Sequence, residues 1–162
     1  MSHCDISNTS DIIDSRDVIA RIAELESDLQ SEYDDIEGEE FVVGSAYEDN
    51  EGEAVKIKPS FEEWVELQKE DAASASHDEA KEYAILAKLA EDGANSAEDW
   101  QYGATLIRES YFKKYCRELV SDVGDLPKYL PDYLVIDWDE TADNLRVDYT
   151  EVAYDGVTYL VC

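Results

Sequence analysis

Apolar positions recur along residues 18–36 with the period of a helix. Val18, Ile22, Leu25, Leu29, Tyr33 and Ile36 step by four, three, four, four and three, which sets them on one stripe of a helix beginning near Asp11. A second stripe, a fraction of a turn away, holds Asp17, Glu24, Asp28 and Asp35 at steps of seven, four and seven. With a rise of about 1.5 Å per residue, those carboxylates stand roughly 6 and 10 Å apart. The pattern predicts an amphipathic helix with an acidic outer face, and Gly38 in "DDIEGEE" is its stop.

Beyond it the runs shorten. "EFVVGSAY" and "EAVKIK" flank "EDNEG", which predicts a small second hairpin near residues 40–58 with Asn50, Glu51 and Gly52 in the turn. Helix resumes in "PSFEEW", where Ser60 followed by Glu63 is a capping box and Phe61, Trp64, Val65 and Leu67 are core positions. Ser76 with Glu79 is another capping box, opening a helix through Tyr83, Ile85, Leu86 and Leu89 that ends at Gly93. Ser96 ahead of "AEDW" opens a third helix, in which Leu106, Ile107, Tyr111, Tyr115 and Leu119 keep helical spacing up to Gly124. Pro127 and Pro131 fix a loop, and Asp137 with Glu140 caps a short helix in "WDETADNL". Asp155-Gly156, between two alternating runs, marks a two-residue hairpin turn of the primed type. The fold expected is α+β, mostly helical, with a C-terminal helix plus β-hairpin module. Residues 1–10 read as a mobile end, 11–95 as an acidic helical region and 96–162 as the C-terminal module.

Charge changes what these faces mean. The chain of 162 residues is 44% apolar and 10% aromatic, enough to bury a core, yet 41 acidic residues stand against 13 basic ones, a net of −28. A small domain stays soluble on a net charge of roughly 2–8, and every charge beyond that repels its neighbours in the compact state. The excess is no detached tail, since the net is −13 over residues 1–60, −9 over 61–100 and −6 over 101–162. Halophilic adaptation would account for such a surface, and so would a cationic partner. The whole excess equals the charge on roughly 48 Å of duplex DNA. Its even interleaving with core positions favours the partner.

Other chemistry is poorly served. His3 and His77 have no Cys, Ser or carboxylate at a recognisable catalytic spacing, and no G-x-S-x-G, phosphate loop or H-E-x-x-H occurs. A small enzyme would have to depend on His77 or Cys116. "YEDNEGEAVKIK" sets Gly52 at the sixth place of an EF-hand-like loop, but Tyr47 and Lys58 fill the first and twelfth places, where acidic ligands are needed. Cys4, Cys116 and Cys162 form neither a disulfide framework nor a metal spacing. Cys116, Trp64, Trp100 and Trp138 read as core. No catalytic residue, metal site or cofactor is expected. The start of the chain lacks a basic region followed by an apolar run, and no stretch approaches the ~18 apolar residues of a membrane span, which predicts a cytoplasmic protein.

Residues 110–161, "SYFKKYCRELVSDVGDLPKYLPDYLVIDWDETADNLRVDYTEVAYDGVTYLV", carry a further signal. Phe112, Tyr115, Glu118 and Leu119 follow a "Y/F-x-x-Y/F-A-x-E" helix, and Gly124, Leu126 and Pro127 a "G-x-L-P" loop. Ile136, Asp137, Trp138, Ala142, Asn144 and Leu145 follow a second helix, and Asp155, Gly156 and Tyr159 a closing hairpin. In these motifs the segment resembles the last domain of the ArdA-type antirestriction proteins. Residues 1–95 carry no match to the family's other domains, and Asp143 stands where the family commonly has Arg. The resemblance implies an acidic DNA mimic from a phage or mobile element. Such a protein occupies the DNA site of a type I restriction–modification enzyme in the host bacterial cytoplasm, usually as a homodimer.

The charge pattern names the expected contact carboxylates. They are Asp17, Glu24, Asp28, Glu32 and Asp35 of the first helix, Glu39 and Glu40 beyond it, and Glu62, Glu66 and Glu70 of the next helix. The partner is then a DNA-binding defence enzyme met through its cationic groove, with no direct contact to nucleic acid or membrane. The same logic admits a CRISPR effector as the target. A non-mimic acidic adaptor on a basic protein is the alternative of a different class.

Overall fold

The computed structural model describes residues 6–36, 58–124 and 126–162, together with the backbone of 47–48 and 54–55. Among these, the elements are β1 (Ile12–Asp14), α1 (Ser15–Asp35), β2 (Tyr47–Glu48), β3 (Ala54–Val55), α2 (Phe61–Glu70), α3 (His77–Ser96), α4 (Trp100–Gly103), β4 (Thr105–Arg108), α5 (Glu109–Val123), α6 (Trp138–Arg146), β5 (Thr150–Tyr154) and β6 (Val157–Val161). The fold is α+β and mostly helical, with a four-stranded antiparallel sheet in the order β1-β4-β6-β5. The chain packs as two compact units, one formed by Met1–Ala20 with Ile85–Cys162 and the other by Arg21–Ala84. Composition divides the chain near residue 95, whereas packing divides it within α1 and α3, because each of these helices is long enough to serve two cores.

The sheet belongs to the first of these units. Its last hairpin turns on Asp155 and Gly156 at φ 46° and 79°, both left-handed, as a primed two-residue turn requires. Ile107 of β4 pairs with Leu160 of β6, and both pack with Phe112 and Cys116 of α5 and Ala142 of α6. Leu106, next in the strand, must face the other way, and it too is fully buried. A strand covered on both faces reads as a continuous apolar run, which is why "TLIR" is strand and not the helix expected from its spacing. The first helix likewise starts at Ser15 and not at Asp11, because "IID" is strand β1, paired with β4. The buried Ser15 hydroxyl donates to Trp100 O at 2.6 Å and accepts from Ala104 N at 2.8 Å, which fixes the start of α1 against α4. Residues 6–10, read from sequence as part of a mobile end, are held by hydrogen bonds: Tyr154 Oη donates to Ile6 O at 3.2 Å and Tyr159 Oη to Ser10 O at 2.6 Å.

Helix α3 runs past Gly93 to Ser96, which corrects the expected stop. The glycine serves a close approach instead: a Cβ there would lie 2.2 Å from the Trp100 ring. Ser96 is the last residue of α3, its hydroxyl donating back to Asp92 O at 2.7 Å, and it caps no following helix. Gly124 ends α5 in the left-handed conformation at φ 78°. Asp137 caps α6 as expected, its Oδ1 accepting from the Asp139 and Glu140 N–H groups at 3.0 Å each.

In the unit Arg21–Ala84, the capping box of α2 is complete: Glu63 N donates to Ser60 Oγ at 3.3 Å and Ser60 N to Glu63 Oε2 at 2.9 Å. Leu29 of α1, Trp64 and Val65 of α2 and Ala80 of α3 form the core, with Tyr33, Ile36, Phe61 and Tyr83 packed around them. The box expected at Ser76 does not form, because the Ser76 hydroxyl donates to Glu32 on α1. β2 pairs antiparallel with β3, as the small hairpin near 40–58 requires. The turn residues Asn50, Glu51 and Gly52 lie outside the described residues, as do Gly38, Glu39 and Glu40.

Candidate functional site

The buried stripe of α1 decides where its acids go. Val18, Leu25 and Leu29 are buried, so the side chains between them on the helix turn outward, and Asp17, Glu24, Asp28, Glu32 and Asp35 are all exposed. On α2 the burial of Trp64 and Val65 leaves Glu62, Glu66 and Glu70 exposed at steps of four, about 6 Å apart. A groove of about 420 Å³ runs along that face, lined by Pro59, Glu62, Glu63, Glu66, Leu67 and Glu70. Because Leu29 and Tyr33 of α1, with Ile36 just after it, pack with Phe61, Trp64 and Val65 of α2, the carboxylates of Glu24 to Asp35 and of Glu62 to Glu70 belong to adjoining helices of one unit. Asp17 stands in the first turn of α1, in the part assigned to the other unit.

The cations of this unit are largely spent on its own structure. Arg21 donates to both oxygens of Glu82, at 2.7 and 2.8 Å, and to Glu24 at 3.3 Å. Its hydrogen bonds to Glu82 do most to push the guanidinium above its ordinary pKa. Lys58 donates to Tyr33 O at 2.7 Å near the end of α1 and lies 4.0 Å over the Tyr33 ring, where a cation also meets the negative end of the helix dipole. Lys69 pairs with Glu66 at 2.6 Å. Asp28, Asp35, Glu62 and Glu70 have no ion pair among the described residues. Of the expected contact residues, then, Glu24 and Glu66 are partly neutralised, Glu32 is engaged by Ser76, and these four present bare charge.

Two participants escaped the sequence reading. Tyr83 of α3 sits among the acids, and burial, followed by the negative charges of Glu26 and Glu62, raises its phenol above the ordinary pKa. Glu26 falls on neither stripe read from the sequence, and its outward direction follows only from which α1 residues are buried.

No family model, curated protein or solved structure matches this chain. Over residues 21–35, about 22 Å of helix, α1 carries 6 acidic residues and 1 basic, and α2 carries 4 and 1, a joint net of −8. Over that length one DNA strand carries about 6 charges and a duplex about 13. The two helix segments together thus exceed one strand in charge and fall short of two.

Chemistry of other kinds finds less. Among the described residues no group of three or more His, Cys, Asp or Glu could hold a metal ion. His77 Nδ1 lies 3.1 Å from Gln68 O. Cys116 is buried, and burial raises its thiol pKa, which disfavours the nucleophilic thiolate. Among the described residues no helix is long and apolar enough to cross a membrane.

Proposed function

We propose that this protein is a DNA mimic: the carboxylates of α1 and α2 replace the phosphates of one strand in the cationic groove of a DNA-binding defence enzyme, and block it stoichiometrically. The observation that carries the reading is the net of −8 on residues 21–35 of α1 and on α2, adjoining helices on which Asp28, Asp35, Glu62 and Glu70 keep bare charge while Arg21 and Lys69 each pair with one carboxylate. Self-repulsion on that scale weakens the free protein and is relieved only when cationic groups approach. The likeness of residues 110–161 to antirestriction proteins points to a type I restriction–modification enzyme as the target, and a CRISPR effector offers a groove of the same chemistry.

A distributed surface has a characteristic mutational response. Exposed ion pairs contribute about 0.5 kcal/mol each, so Asp28→Asn, Asp35→Asn, Glu62→Gln and Glu70→Gln should each weaken inhibition of a purified type I enzyme by about twofold. Combined, they should weaken it by about thirtyfold. Charge reversal on the α5 lysines, Lys113→Glu with Lys114→Glu, should leave inhibition unweakened. A single substitution that abolished inhibition, or a quadruple variant as potent as the parent, would overturn the reading.

A further inference from the structure

Between α5 and α6 the chain turns its large apolar side chains outward. Residues 129–135 hold five of them in seven positions, Tyr129, Leu130, Tyr133, Leu134 and Val135, and all five are exposed. Tyr129 and Val135 are each 90% exposed and Tyr133 83%. Exposed apolar residues scattered singly need no explanation, but a run of them marks a surface that another surface covers. The backbone beneath is held in place: Pro127 and Pro131 fix φ at two positions, and Leu134 N donates to Pro131 O at 2.9 Å. A loop already ordered gives up less entropy when a partner covers it.

We propose that this loop is the surface on which two copies of the protein associate. Charge selects the occupant. Residues 126–136 carry one cation, Lys128, and one anion, Asp132, a net of zero in a chain of −28. A cationic protein gains most from the acidic faces of α1 and α2 and little from a neutral loop. A second copy, bearing the same −28, is repelled at every acidic face and meets least resistance where charge has been withdrawn. Lys128 and Asp132 are exposed, and neither has an ion pair among the described residues. A two-fold axis through the loop matches Lys128 of each copy with Asp132 of the other. The extent is adequate as well. An aromatic side chain buries about 150–250 Å², so Tyr129 and Tyr133 supply roughly 300–400 Å² of the about 800 Å² per partner in a standard interface, and Leu130, Leu134 and Val135 add to it. The loop shares no residue with α1 or α2, so the dimer forms whatever their acids bind.

The test is sedimentation equilibrium of the full chain at about 10–100 μM, in roughly 50 and 500 mM salt. Salt screens the repulsion between two acidic chains and leaves apolar contact in place, so the dimer dissociation constant should fall by about threefold or more as salt rises. That is the reverse of the response to a cationic groove, where salt weakens binding. Tyr129→Ser with Tyr133→Ser should raise the dissociation constant at least about tenfold, with the circular dichroism spectrum unchanged because both side chains are exposed. Lys128→Asp should weaken the dimer by setting like charges together, and adding Asp132→Lys should restore it. A monomer at every concentration and salt, a dimer indifferent to either set of substitutions, or one that dissociates as salt rises would overturn the assignment. Neither nucleic acid nor a target enzyme is in the cell, so a failed dimer leaves mimicry standing.

Discussion

Gly93 lies inside α3, where alanine would improve helix propensity by about 1 kcal/mol. Against that, the new Cβ would meet the Trp100 ring at 2.2 Å, and Trp100 is only 4% exposed, so the ring has little room to move. Overpacking of this kind costs about 1–3 kcal/mol, and the contact is severe, so the steric term wins. Gly93→Ala should lower stability by about 1–2 kcal/mol, seen as a reduced urea midpoint at unchanged slope. Stabilisation would mean that the ring yields freely. From the sequence the same glycine reads as a helix stop, since a residue without a side chain is ambiguous until the ring that needs the space is located.

At the scale of elements, the legible features are those whose cause is local. The Ser60/Glu63 box closes within four residues and forms as expected. Ser60→Ala should cost about 1 kcal/mol, measured as a shift of the thermal or urea midpoint, and no loss would show that packing of Phe61 and Trp64 alone sets the start of α2. Ser76 has the same local motif, yet its hydroxyl goes to Glu32, a partner 44 residues away. Strands β1 and β4 were hidden for a related reason. Their apolar pairs, Ile12-Ile13 and Leu106-Ile107, fit a helical stripe as well as a strand, and only the pairing of β4 with both β1 and β6 decides between them. The hairpin at Asp155-Gly156 had no such rival, because two successive positive φ angles demand that dipeptide chemistry.

Across the whole molecule, charge is unevenly shared. Residues 21–84 hold 21 acidic and 5 basic residues, a net of −16, whereas the remaining residues hold 20 and 8, a net of −12 over a longer stretch. The outward direction of Asp17, Glu24, Asp28 and Asp35 was legible from helical period, and they are exposed, as are Glu32, Glu62, Glu66 and Glu70. Which of them keep a bare charge was not legible, because Arg21, Lys58 and Lys69 choose partners through tertiary contacts. The most direct test of the proposed mimicry is competition for a fluorescent duplex bound to a purified type I restriction enzyme, read by anisotropy across a salt series. Mimicry predicts full, competitive release of the duplex, with affinity for the protein falling at least about tenfold between 50 and 200 mM salt. A ternary complex that retains the duplex, or an affinity indifferent to salt, would contradict it.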